Sequence, residues 1–436
     1  MALSRRGFVR TTGAVFGAAS LADTGRAFGP NDQINLGFVG IGIQGSSHLR
    51  LFNSYDGVRV VAIADLYDGH LTAAKELNSA IDTTKDYREL LGRKDIDAVV
   101  IATPEHWHQR IVLDALAAKK HVYCEKPLTW TIEEGAQIIQ AADKSDRVLM
   151  VGSQGKTADS TAAARQVVKS GKLGQITMVS MGQGRNDPEG AWEYPIPPDA
   201  STTTVDWARF LGKASRRAFD AARFFRWRCF SDYSGGVATD LIVHQLTTLH
   251  EIMDVVAPVS AVSDGGIYRW KDGRDLPDLQ HAILEYEPGF LVETFVNLNN
   301  AHPFQGTVIE GTEGTLVVGQ GLTFYPEMPP PKAQGYGANG WPKALKAQYY
   351  EGLGYSADGR PKEPLPPRKP PETIAVTRSG LRHQDYFIKS IREGTPSREN
   401  ARDGHYGAAA AHLINIAYRR GRRVRFDLKT SAVRDS

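Results

Sequence analysis

Three side chains have the types and spacing for proton chemistry: Lys126, Asp240 and His244. Asp240 and His244 are four apart on an expected helix, so both project from one face. A carboxylate beside an imidazole can hold its orientation and stabilise its charged form. Lys126 follows an apolar run and can act as a base where partial burial and a nearby positive ring lower its pKa. A second set suits a phosphorylated ligand. Gly40, Ile41, Gly42, Ile43, Gln44 and Gly45 match G-x-G-x-x-G, with an apolar run before and a helical pattern after. Gly40 permits the tight turn, Gly42 lets a pyrophosphate approach the backbone, and Gly45 allows close helix packing. Unpaired N–H groups at the helix start then face the phosphates. Asp65 closes the next apolar run, where a carboxylate binds ribose hydroxyls and disfavours a 2′-phosphate. This predicts a dinucleotide site with NAD preferred and NADP as the alternative.

The elements that must position these groups alternate. Apolar runs at 34–39, 58–64, 97–102, 121–124 and 148–151 are separated by helical windows near 46–52, 68–79, 106–118 and 131–144. That rhythm predicts a doubly wound parallel sheet over residues 32–155. From 156 to 436 the pattern changes. Helices are expected at 158–170, 236–254, 381–392 and 403–420. Strands are expected at 174–182, 258–269, 279–287, 291–298, 304–310 and 314–318. Consecutive strands without intervening helices predict an α+β domain with an open, mostly antiparallel sheet. Residues 326–371, with Pro329, Pro330, Pro331, Pro366, Pro367, Pro370 and Pro371, read as a surface excursion.

Thr103, Pro104, Glu105, His106, Trp107 and His108 follow one run, and Glu125, Lys126 and Pro127 follow the next. Val151-Gly152-Ser153-Gln154, Ser170-Gly171-Lys172-Leu173-Gly174, Gly311-Thr312-Glu313-Gly314 and Gly235-Gly236-x-x-x-Asp240-x-x-x-His244 continue the pattern. Together these resemble the Gfo/Idh/MocA oxidoreductases from Ile34 to about Phe426, the Pro-rich excursion excepted. Thr247 departs from an acidic residue common in that family. The resemblance implies that Lys126, Asp240 and His244 surround a substrate beside a nicotinamide, with either Lys126 or His244 as the base. It implies that Gln154, Glu105, Trp107, His108 and Glu125 line the nucleotide site with Thr103 and Pro104. Arg185, Arg226, Trp227 and Arg228 are candidates for holding a polyhydroxylated substrate by stacking and charge-assisted hydrogen bonds. The implied activity is hydride transfer at a secondary hydroxyl of a sugar or glycoside. Redox-neutral glycoside cleavage and non-catalytic sugar binding are the alternatives, and a homo-oligomer is implied.

Composition limits other functions. The chain has 436 residues, 52 basic against 49 acidic, so no charge excess points to nucleic acid. No apolar run reaches membrane-spanning length. Cys124 and Cys229 lack metal-ligand spacing and read as small buried residues; no metal cluster is evident. Residues 1–27 hold Arg5, Arg6, Arg10 and Arg26 against Asp23, which is the whole net charge of +3. Arg5-Arg6 before Gly7-Phe8-Val9-Arg10 and a weakly apolar stretch resembles a twin-arginine export signal. That predicts a periplasmic or otherwise extracytoplasmic protein, exported folded with its cofactor.

Overall fold

Two sheets of different character divide the chain. The computed structural model describes residues 33–287, 289–304, 306–328, 336–362 and 367–435. The segment 1–27 with Arg5 and Arg6, and Pro329, Pro330, Pro331 and Pro366, lie outside the described residues.

The first sheet holds β1 (Ile34–Val39), β2 (Val58–Ala64), β3 (Asp82–Thr84), β4 (Ala98–Ile101), β5 (His121–Cys124) and β6 (Leu149–Val151). Their order is β3-β2-β1-β4-β5-β6, every neighbouring pair parallel. Helices α1 (Ile43–Phe52), α2 (Asp68–Leu77), α3 (Tyr87–Leu91), α4 (Glu105–Ala117) and α5 (Glu134–Asp143) connect them. Val, Ile and Ala dominate β2 and β4 because helices cover both faces of a parallel sheet. β3 reads Asp82-Thr83-Thr84, with no apolar run to reveal it. The strand order reverses between β1 and β4, and ligands of such sheets bind outside the carboxyl ends at that point.

The second domain begins with α6 (Asp159–Lys169), β7 (Ile176–Gly184), α7 (Trp207–Leu211), α8 (Ala221–Phe225) and α9 (Val243–Met253). β8 (Ser260–Gly266), β9 (Leu279–Tyr286), β10 (Phe290–Asn297), β11 (Thr307–Gly311), β12 (Gly314–Val318) and β13 (Leu322–Pro326) follow. Then come α10 (Lys343–Gly352), β14 (Glu372–Ile374), α11 (His383–Glu393), α12 (Ala401–Arg420), β15 (Val424–Asp427) and β16 (Ala432–Asp435). Ten strands form one sheet in the order β14-β13-β12-β11-β7-β10-β9-β8-β15-β16. Only β7 and β10 pair in parallel; every other neighbouring pair is antiparallel.

The alternating burial of β9 and β10 follows from one covered face, and α9 and α12 lie in the core with that face's residues. The excursion is more structured than its prolines suggest. It contains α10, which buries Tyr350, and it returns to the sheet at β14. The chain also crosses back: Phe387 and Ile388 of α11 pack into the first domain's core with Phe38 and Phe52. α12 starts at Asn400, whose side chain accepts from the Arg402 and Asp403 N–H groups, and stops at Gly421 with φ 60°.

Candidate active site

The glycine turn meets the space around it differently at each position. Gly40 has φ +83°, and a Cβ there would lie 2.8 Å from the Ala102 carbonyl oxygen. A Cβ on Gly45 would lie 2.2 Å from the Gly40 oxygen, so only glycine lets α1 approach β1 this closely. A Cβ on Gly42 would meet nothing nearer than His70 at 3.9 Å. Gly42 and Ile43 instead face a cavity of about 870 Å³. The start of α1 carries no side-chain cap, which leaves its first N–H groups for a ligand.

Asp65 lines the same cavity. Its carboxylate accepts from Ile41 N–H at 2.8 Å, Tyr67 N–H at 3.0 Å and His70 Nδ1 at 3.1 Å. Burial alone would raise the Asp65 carboxyl, but these partners hold it below its ordinary range. The open glycine, the uncapped helix and the ionised carboxylate fit a dinucleotide.

Thr103, Pro104 and Trp107 also line the cavity. Glu105 and His108 do not, which corrects the expectation for both. Glu105 is buried and accepts from the Ser234 hydroxyl at 2.6 Å, Thr239 at 2.8 Å and Gly235 N–H at 2.9 Å. It therefore ties α4 to the Ser234–Thr239 turn of the second domain. Burial raises its pKa to about 7. His108 lies between the Pro127 and Thr103 carbonyl oxygens at 2.7 and 2.9 Å and links the two loops. Gln44, Gly45, Glu125 and Gln154 likewise lie outside the cavity lining, as do Lys126, Asp240 and His244. Glu125 accepts from His48 Nε2 at 2.6 Å and Gln154 Nε2 at 3.1 Å, and Gln44 reaches His48 at 3.2 Å. Burial would raise Glu125, but His48 and then Lys126 hold it at about 2.

Lys126 Nζ donates to Asp240 Oδ1 at 2.9 Å and to the Asp240 carbonyl oxygen at 2.8 Å. Arg228 Nε donates to the same Oδ1 at 3.1 Å. Asp240 does not hydrogen-bond the His244 ring, contrary to the triad-like pairing expected from their spacing. Two cationic donors outcompete a neutral imidazole for one carboxylate. Burial would raise Asp240, yet Lys126 and Arg228 hold it well below the usual carboxylate range. Burial and the Lys126 charge push His244 down to about 4. His244 is thus a neutral proton acceptor at neutral pH. A π-helical turn, Ala238–Ile242, carries Asp240 into α9, and such turns recur at functional sites.

At the second-domain end of the cavity stand Arg185, Trp227 and Arg228. Arg226 is absent from the lining because its Nε is taken by the Tyr194 carbonyl at 2.9 Å. Tyr194, Phe225, His70 and Lys85 line the cavity too, unforeseen from sequence because no motif marks them. His250 is buried against the Tyr286 hydroxyl at 2.9 Å, away from His244. Cys124 and Cys229 are buried and free.

A strap from the second domain roofs the cleft. Tyr67 Oη donates to Asp199 Oδ1 at 2.5 Å, and Asp206 N–H donates to the Leu66 carbonyl at 2.9 Å. Arg209 donates to the Lys85 carbonyl at 3.0 Å. His106 Nε2 and Trp107 Nε1 both donate to the Phe210 carbonyl, at 2.8 and 2.9 Å. The strap is therefore pinned beyond β2, β3 and β4 in turn.

A glycine turn on a parallel sheet, roofed by a second domain that completes an ion cluster with Lys126, defines a dinucleotide-binding protein of the two-domain oxidoreductase class. Residues 34–153 match the model of the oxidoreductase family with an NAD-binding Rossmann fold, and 161–317 match the GFO/IDH/MocA C-terminal domain. The chain belongs to the Gfo/Idh/MocA family and carries its NAD-binding domain. It is 33% identical over 152 residues to the alpha-N-acetylgalactosaminidase of Shewanella oneidensis, 33% of each chain. It is 35% identical over 150 residues to the inositol 2-dehydrogenase of Salmonella typhimurium, 34% of this chain and 44% of that one. The match thus spans less than half the length of either relative. A levoglucosan dehydrogenase solved with NADH and levoglucosan superposes with TM-score 0.64 at 18% identity, covering 90% of this chain and 99% of that one. An aldose-aldose oxidoreductase from Caulobacter crescentus gives 0.63 at 17%, covering 90% and 100%. These two likenesses show the fold.

Proposed function

We propose that the protein is an exported NAD-dependent oxidoreductase acting on a secondary hydroxyl of a sugar or glycoside, with a tightly held cofactor. The observation that carries this reading is the Lys126–Asp240–Arg228 ion cluster, with neutral His244 near it, joined to the dinucleotide cavity through Arg228. Bound NAD supplies a hydride acceptor. The chain's own residues do the rest. His244 or Lys126 takes the hydroxyl proton as the alcohol carbon loses its hydride, and Asp240 keeps Lys126 oriented. Asp65 favours NAD over NADP: its ionised carboxylate repels a 2′-phosphate. Lys85 and Arg209 near it are themselves paired, Lys85 with Asp68 and Arg209 with Asp206.

The strap favours retention of the cofactor. A retained cofactor must be regenerated in place, either by a second sugar or within one catalytic cycle. This gives a second reading weight, redox-neutral glycoside cleavage: oxidation, elimination of the aglycone, hydration and reduction. The partial match to a glycosidase points the same way.

Nucleotide released from denatured protein is identified by chromatography. A glycoside panel is then given to intact protein without added nucleotide, following bound-cofactor absorbance and aglycone release. Absorbance change alone favours oxidoreduction, and aglycone release favours cleavage. Absence of both nucleotide and turnover favours a non-catalytic sugar-binding protein and refutes the enzyme reading. Export through the twin-arginine machinery to the periplasm is tested by Arg5→Lys with Arg6→Lys; undiminished export refutes it. The exposed sheet face, with Ile283 and Leu291, suits a second copy, which sedimentation tests.

A further inference from the structure

The sugar end of the cavity is unevenly charged. Arg185 lines it, and with the Gln183 amide turned so that its oxygen faces the guanidinium, that oxygen accepts from Nη2 and Nε at 3.0 and 3.1 Å. Among the described residues no carboxylate lies within ion-pair distance of Arg185. Arg228 lines the same wall and spends only its Nε–H on Asp240. Its guanidinium stacks 4.3 Å from the Trp227 ring centre, and its two terminal amino groups make no hydrogen bond among the described residues.

Arg185 and Arg228 line this end, and behind the wall Lys126 and Arg228 share the single carboxylate of Asp240. Glu125 is already engaged by His48 and Gln154. Asp187 and Glu189 also line the cavity but are exposed, where solvent screens them. Asp187 further accepts from Gly190 N–H at 2.7 Å. A neutral hexose would leave Arg185 without an anion and the terminal amino groups of Arg228 unpaired. Planar forks match a carboxylate, and such bonds are the stronger kind.

We propose that the sugar taken at this site carries a carboxylate bound between Arg185 and Arg228, so that uronic acids or their glycosides are preferred to neutral hexoses. The proposal rests on the reading of this cavity as a sugar site. Arg185 is the specificity-determining residue, since Arg228 also serves Asp240.

The test is calorimetry on the protein as purified, with its bound nucleotide. The probes are the methyl glycosides of glucuronic, galacturonic and mannuronic acid and of glucose, galactose and mannose. At least one acid is expected to bind tighter than its neutral partner by about tenfold or more, weakening with added salt. Arg185→Gln is expected to lose that preference, with the acids weakened far more than the neutral sugars. Neutral sugars binding as well as the acids would overturn the proposal and leave the sugar reading standing. Binding of neither set would overturn both. Equal weakening of acid and neutral sugars in Arg185→Gln would assign Arg185 a structural role and overturn the proposal. The wild-type ratio and its salt dependence decide the matter even if that variant fails to fold.

Discussion

Lys126 and Asp240 form an ion pair between the two domains, Nζ to Oδ1 at 2.9 Å, with side chains only 10% and 11% exposed. Arg228 shares that oxygen at 3.1 Å. Removing the carboxylate would strand two buried cations. Asp240→Ala is therefore expected to destabilise the protein by about 3–5 kcal/mol, as broken buried pairs do. Denaturant titration measures this. A loss under about 1 kcal/mol, the range of an exposed pair, would contradict it.

His244 and Lys126 carry the proposed proton transfer. His244→Ala and Lys126→Ala are each expected to lower turnover by about 10²–10⁴-fold while retaining bound nucleotide. With His244 as the base, the acid limb of kcat/KM follows its pKa of about 4 rather than the ordinary 6.5. A limb near 6.5, or near-normal turnover in His244→Ala, would remove it from that role.

Stability should fall on both sides of about pH 6. Burial lowers His106, His383, His405 and His412 to about 4 from 6.5. The unfolded chain takes those protons first, so stability is lost as pH drops from 6.5 towards 4. Burial raises Glu105 to about 7 and Glu399 to about 8 from 4.5. The unfolded carboxyls ionise first, so stability is lost as pH rises through that window. Glu105→Gln should flatten the alkaline fall, read from unfolding curves at pH 6 and 8.5.

Two of the fingerprint glycines should separate folding from binding. Gly42→Ala has room for its methyl, so with nucleotide removed from both proteins its melting temperature should match the wild type, while its nucleotide retention falls. Gly45→Ala collides with the Gly40 carbonyl and should cost about 1–3 kcal/mol. Equal melting temperatures for all three proteins would contradict this assignment.

Arg209 pins the strap to the Lys85 carbonyl and lies 3.5 Å from Asp86. Arg209→Ala should loosen the strap, so that nucleotide is lost during gel filtration and added NAD restores turnover. Full retention would show that the strap does not hold the cofactor.

Much of the fold was legible because local pattern carries it. β1, β2 and β5 run over the residues that their apolar runs mark, since a strand covered on both faces must be apolar throughout. β3, β14 and the short helices near the cavity were not legible: a three-residue strand or a five-residue helix carries no periodicity. The site divides likewise. The glycine turn and Asp65 are local devices whose spacing states their geometry. Glu105 and His108 stood in the right motif, but their side chains are claimed by Ser234 and Thr239 in one case and by two loop carbonyls in the other.

The sequence by itself therefore determined the parallel sheet, the dinucleotide turn and the residue types available for proton chemistry, all set by neighbours in the chain. Tertiary structure alone decided how they pair. The four-residue spacing of Asp240 and His244 offered a carboxylate–imidazole pair, yet Lys126 arrives from 114 positions away and takes the carboxylate. A full positive charge in a buried site binds a carboxylate more strongly than a neutral ring, and only the packing of the second domain on the first brings that charge within reach.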